Sequence, residues 1–119
     1  MNQVTTGEVL IPEFSVNGKG SGSTIELPSR DRRAEVHALL RWTFPLRFAE
    51  LISGDGVRVH RQRIDLSDTG PFGGKELRLE VDLTGKKWVR LEAWDIACNG
   101  AFTQPVWLKP ADPGNAGPK

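Results

Sequence analysis

Tyrosine is absent from this chain of 119 residues, and cysteine occurs once. No phenol can therefore act as acid or nucleophile. The lone Cys98 cannot close an internal disulfide or build a multi-cysteine metal site, and one cysteine fixes no compartment. Histidine occurs twice, as His37 and His60, and both are isolated. No His-x-His, HExxH or cysteine pair accompanies them, so the usual starting points of a metal or acid–base site are missing. An excess of one charge is lacking too. The net charge is +1, which argues against bulk attraction to nucleic acid or to an anionic membrane. No run approaches the ~18–20 apolar residues of a membrane span. Met1 to Thr6 has neither a basic start nor an apolar stretch, so no signal peptide is expected there.

What is present suits one small domain. Hydrophobic residues make up 38% and charged residues 26%, with 13 glycines and 8 prolines to supply turns. The hydrophobic period is two almost wherever it can be read. Leu77, Leu79, Val81 and Leu83 alternate with Glu76, Arg78, Glu80 and Asp82, as in a strand with one face on a core and one in water. Further strands are expected at 9–16 (with Pro12 suiting an edge), 23–27, 34–44, 46–52, 57–66, 88–97 and 101–108. Gly54-Asp55-Gly56 and Asn99-Gly100 read as hairpin turns. A helix over 31–42 is the rival reading, because Asp31-Arg-Arg-Ala-Glu resembles a helix start, and 46–51 also carries helix formers. Loops are expected at 17–22, 28–33 and 67–74. Residues 1–108 form the domain, and Pro/Gly-rich 109–119 reads as a flexible tail. Seven or eight strands at regular spacing predict an all-β, two-sheet antiparallel sandwich, with a barrel as runner-up.

No pattern spells out a chemistry. Gly20-Ser21-Gly22 lacks the strand-to-helix context of a nucleophile elbow, and Gly18 to Gly22 lacks the helix that would cradle a phosphate. Asp55, Asp65, Asp68 and Asp95 lie near turns, but without DxDxDG spacing for calcium. Arg30, Arg32 and Arg33, and Arg58, Arg61 and Arg63, read as solvated charge without interleaved aromatics. No catalytic residue, metal or cofactor is therefore expected. Tryptophan is the informative residue type. On the strand from Trp88, parity sets Val89, Leu91 and Ala93 inward and Trp88, Arg90, Glu92 and Trp94 outward. Trp107 is placed to join them. Trp88 and Trp94 are expected to stand side by side, either covered by loops and the tail or exposed as a docking or sugar-stacking surface.

From Trp88 the chain resembles a known group. Trp88-Val-Arg-Leu-Glu-Ala-Trp-Asp, the Asn99-Gly100 turn and Thr103-Gln104-Pro105-Val106 resemble the closing strands of the C-terminal accessory domain of bacterial PHP-like metal-dependent hydrolases. Gln104 stands where that group has Asn. The upstream run 46–59 resembles its strand, glycine turn and strand, and the likeness covers about 34–108. It implies an immunoglobulin-like sandwich whose metal ligands lie in a separate, preceding domain. The resulting expectation is a non-catalytic interaction domain. It would dock to a hydrolase domain or to a partner chain, another copy included, through Trp88, Arg90, Glu92, Trp94 and Trp107. A carbohydrate-binding module is the alternative, and a metal-dependent hydrolase acting alone lacks a ligand cluster. Neither nucleic acid nor membrane is an expected partner.

Overall fold

A computed structural model describes residues 3–5, 7–28 and 31–110, with side chains from residue 7 onward. Among them the protein is all-β, in two sheets packed face to face. Eleven strands follow in order: β1 (Gln3–Thr5), β2 (Val9–Val16), β3 (Lys19–Gly20), β4 (Thr24–Leu27), β5 (Arg33–Trp42), β6 (Leu46–Gly54), β7 (Val59–Asp65), β8 (Gly73–Asp82), β9 (Trp88–Asp95), β10 (Gly100–Thr103) and β11 (Val106–Pro110). The smaller sheet runs β3-β2-β5-β8. In the larger, β7 pairs with β6 and β6 with β9. The far edge of β9 is shared by β10 and β11. β1 lies outside β10, and β4 outside β11.

The 31–42 segment is strand, not helix. Ala34, Val36, Ala38, Leu40 and Trp42 are all buried, alternating with exposed or half-buried partners. Period two places five of the six apolar residues on one face, Leu39 being the exception, where a helix would scatter them. The expected strand at 101–108 is two, divided at Gln104-Pro105. The sandwich is also not wholly antiparallel. β4 and β11 pair in parallel, Trp107 beside Thr24 and Leu108 beside Ile25. The chain reaches that position by crossing from the smaller sheet after β3, where Gly22 at φ +86 donates its N–H to the Pro105 carbonyl at 2.8 Å. Lys109 and Pro110, expected in the tail, belong to β11; residues 111–119 lie outside the described residues. Pro12 sits in a bulge of β2 between Leu10 and Glu13, where a missing N–H breaks no ladder.

Two turns differ from expectation. Asn17-Gly18, placed within a loop, is the tight turn of the β2–β3 hairpin, with φ +51 and +83. In the β9–β10 hairpin the positive φ falls on Cys98, not Gly100. The fully buried Asp95 carboxylate holds that turn, accepting from the N–H groups of Ala97 and Asn99 at 2.8 Å and from Asn99 Nδ2 at 3.0 Å. Arg32, expected in solvent, is buried. It donates to the carbonyls of Leu83 and Lys86 and straps the β8–β9 turn. Arg30 lies outside the described residues.

Three glycines have a shared purpose. A Cβ on Gly54 would come within 2.5 Å of the Trp88 indole, one on Gly100 within 2.5 Å of Trp94, and one on Gly73 within 2.6 Å of Trp42. Each pair is directly cross-strand. The indole lies over the bare backbone of its neighbour, restoring the contact that glycine lacks. Trp42 is buried and donates to the Gly70 carbonyl at 2.6 Å, so it cannot turn away. Trp88 and Trp94 are half-buried, and Trp94 is held by the Glu92 side chain rather than by backbone, so both can. Gly73→Ala is expected to cost about 2–3 kcal/mol in urea denaturation. Gly54→Ala and Gly100→Ala should cost less and red-shift tryptophan fluorescence as an indole swings outward. Gly70, with open space around its Cβ position, is the neutral control.

Asp55, Asp65 and Asp82 each cap the turn that follows, accepting from a backbone N–H two residues on. The hydrogen bonds from Arg58 and Val57 to Asp55, from Ser67 to Asp65 and from Thr84 to Asp82 hold all three below the ordinary aspartate value of 3.8. The unfolded chain thus takes up these protons first. Their stabilisation is complete above about pH 4 and is lost as pH falls through the depressed folded values. Replacing all three with Asn should flatten the acid limb of stability against pH, measured by denaturation at stepped pH.

Candidate functional site

The outer face of the larger sheet is assembled from the central strand outward. Along β9, Val89, Leu91, Ala93 and Asp95 are buried against the smaller sheet, and Trp88, Arg90, Glu92 and Trp94 point away. The parity read from the sequence therefore places these four on one face. Register then adds their neighbours. Gly54, Ile52, Glu50 and Phe48 of β6 lie beside Trp88, Arg90, Glu92 and Trp94. Trp107 of β11 lies beside Trp88, and Phe102 of β10 beside Glu92. Val59, Arg61, Arg63 and Asp65 of β7 complete the face beyond β6.

The tryptophans do not form one cluster. Trp88 and Trp94 are six residues apart on a strand, so about 20 Å separates them. It is Trp107, 48% exposed, that stands next to Trp88. Trp94 marks the other end, near Phe48 and Phe102. Among the described residues, the two β9 indoles lie over the backbone of Gly54 and Gly100.

Between the aromatic ends lies an ion network built around two carboxylates. Glu50 and Glu92 are directly opposite on neighbouring strands, an arrangement that repels unless each is paired. Each is. Arg61 Nη1 donates to Glu50 Oε1 at 3.0 Å, and Arg63 donates to Oε2 at 3.4 Å. Arg90 Nη1 donates to Glu92 Oε2 at 2.7 Å, and Trp94 Nε1 donates to Oε1 at 3.2 Å. The guanidinium of Arg63 sits 3.9 Å from the Phe48 ring centre, and that of Arg90 5.7 Å from Phe102. Ile52 is fully buried beneath this layer, between Arg61 and Arg90 in the register. The arginine stems thus cover apolar surface while their heads hold the carboxylates. Both carboxylates are committed to neighbours.

An open groove of about 370 Å³ borders the face at its β7 end, lined by Arg47, Phe48, Arg63, Asp65 and Ser67. The histidines lie apart. His37 is on the outer face of the smaller sheet, beside Arg78 and bonded to Glu76; His60 is on β7. Among the described residues no three His, Cys, Asp or Glu side chains gather to hold a metal.

One surface escaped the sequence reading. Phe44, Phe72 and Ile96 are exposed in three loops at one end of the sandwich, 82% for Phe72. Backbone bonds from Phe72 to Thr43 and from Ile96 to Pro45 tie those loops together. Scattered single hydrophobics in loops carry no period, so only the topology shows them side by side.

Glu50→Ala is expected to lower stability by about 1–2 kcal/mol, since it frees two arginines over a buried isoleucine. Denaturation of the single and Arg61→Ala double variants measures the coupling. Comparison with protein-family profiles, curated proteins and solved structures finds no match.

Proposed function

We propose that the chain is a non-catalytic binding domain that docks through the outer face of its larger sheet, either to a metal-dependent hydrolase domain or to a second copy of itself. The observation that carries this reading is the Trp88–Trp107 row. Two indoles stand in register on adjacent strands, one anchored over Gly54 and the other half-exposed. Rigid aromatic surface beside paired charges is what protein interfaces use as anchors. The ion network supports the same reading, because groups already satisfied by each other cost less to cover than unpaired ones. The strand pairing supports an immunoglobulin-like arrangement: β2, β5 and β8 form one sheet, β7, β6, β9 and β11 the other. That in turn supports the likeness to the accessory domain of PHP-like hydrolases.

Carbohydrate binding is the second reading, favoured by an indole laid over backbone with its neighbour beside it, a floor on which a sugar ring can stack. Trp107→Ala separates the two. Trp107 is an exposed edge residue of the row, so its loss should leave stability within about 0.5 kcal/mol. Association, with itself by sedimentation velocity or with a PHP-type hydrolase domain by titration calorimetry, should weaken at least tenfold. Unchanged association would remove the docking reading. Saturable binding on a glycan array, lost in the variant, would establish the sugar reading in its place.

A further inference from the structure

We infer that the free edge of β7 receives an extended acidic segment of a partner protein as an added antiparallel strand. This inference does not depend on the tryptophan row.

Among the described residues β7 pairs with β6 alone. The hydrogen-bond phase of that pair follows from its two ends. Asp55 N–H donates to the Arg58 carbonyl, and Leu66 N–H to the Arg47 carbonyl. Alternation between these closed pairs turns the backbone groups of His60, Gln62 and Ile64 toward β6. Those of Val59, Arg61, Arg63 and Asp65 point outward. Four residues therefore present donors and acceptors on a line, the template that strand addition uses.

Charge selects the occupant. Arg61 and Arg63 share the single carboxylate of Glu50 and are themselves more than half exposed. Arg47 stands beside Arg63 in the groove, and Arg58 precedes β7 on the other face; both are exposed and without an ion pair to any described residue. Asp65 is the opposing charge at the edge, and it is turned to cap Ser67. A second copy of the chain fits poorly in the registers that overlap most of β7. A two-fold centred on Gln62 sets Arg61 against Arg63, and one centred on either arginine sets it against itself; like charges directly opposite destabilise a ladder. Carboxylates at alternate positions of an incoming strand fall beside Arg61 and Arg63 on the outer face. The groove formed by Arg47, Phe48, Arg63, Asp65 and Ser67 lies at the end of this edge and can take one more side chain.

The test titrates an octapeptide of alternating Glu and Thr, with both ends blocked, into the ¹⁵N-labelled full chain. Amides of Val59, Arg61, Arg63 and Asp65 are expected to shift and gain exchange protection, more than those of His60, Gln62 and Ile64. Affinity should fall at least tenfold in Arg61→Ser/Arg63→Ser and stay within about threefold in Arg61→Lys/Arg63→Lys, which keeps the charge. A peptide with Lys in place of Glu should not bind. Equal binding of the Lys peptide, shifts that avoid the four outward amides, or undiminished affinity in the folded serine variant would each overturn the inference. Trp107→Ala should leave this titration unchanged, so the edge and the indole row fail or stand separately.

Discussion

The arrangement rests on β6 being covered on both of its faces. Most strands of a two-sheet sandwich bury one face and wet the other, as β8 does. From Ala49 to Gly54 every residue of β6 is buried. Inward, Ala49 and Leu51 join the core between the sheets. Outward, Ile52 and Glu50 are covered by side chains from both flanking strands, and Gly54 by the Trp88 indole. The outer surface is therefore a second, thin packed layer. Its members are held in place by cover as well as by charge, and that gives the face a fixed shape. Without Ile52 beneath them, Arg61 and Arg90 would be ordinary flexible surface cations. Without Gly54, Trp88 could not lie down.

The two sheets are joined by the complementary device, small residues inside. Ala49, Ala93 and Ala101 fall in one cross-strand row of the larger sheet, and β2 packs across β9 and β10. A row of methyl groups leaves room for the larger side chains of the facing strand. β9 thus alternates small or aliphatic residues inward with Trp, Arg, Glu and Trp outward, and the bulk of that strand lies on the side away from the core. Its largest side chains do not pack the sandwich; they build its face.

The fold was legible because most strands obey period two: Glu76 to Leu83 and Trp88 to Trp94 could be assigned by parity alone, and parity put four site residues on one face. The segment 46–52 was harder to read because burial on both faces erases alternation, leaving an apolar run that suits either strand or helix. The partner of Trp88 was legible only in part. Parity in β11 allowed Trp107 to join the face, but register between strands decided that it, and not Trp94, stands adjacent. Glu50 and Ile52 were missed as site residues because nothing local marks a strand whose second face is buried by arginines. The Asn17-Gly18 turn carried its signal openly, since that dipeptide favours positive φ at both positions. The two-residue strand after it is too short to show a period, and so it read as loop.

The exposed Phe72 shows how far a feature can look purposeful and still follow from packing. A bulky residue at φ +53 costs on the order of 1 kcal/mol, and such strain often marks function. Here the Trp42 indole holds the loop at two points: it accepts Gly73 beneath its ring and bonds to the Gly70 carbonyl. Pro71 and Phe72 lie between those anchors and have nowhere to go but outward. The Phe72 N–H still reaches the Thr43 carbonyl at 2.8 Å, so the backbone remains satisfied. The strain is thus accounted for by clamping one indole at the end of β5, and exposure of the phenyl ring is its consequence. No such account removes Trp107. Its strand neighbours Val106 and Leu108 are buried in the core, while Trp107 itself stands 48% exposed beside Trp88. Trp88 is accounted for by the bare backbone of Gly54 beneath it; the exposed indole beside it is not.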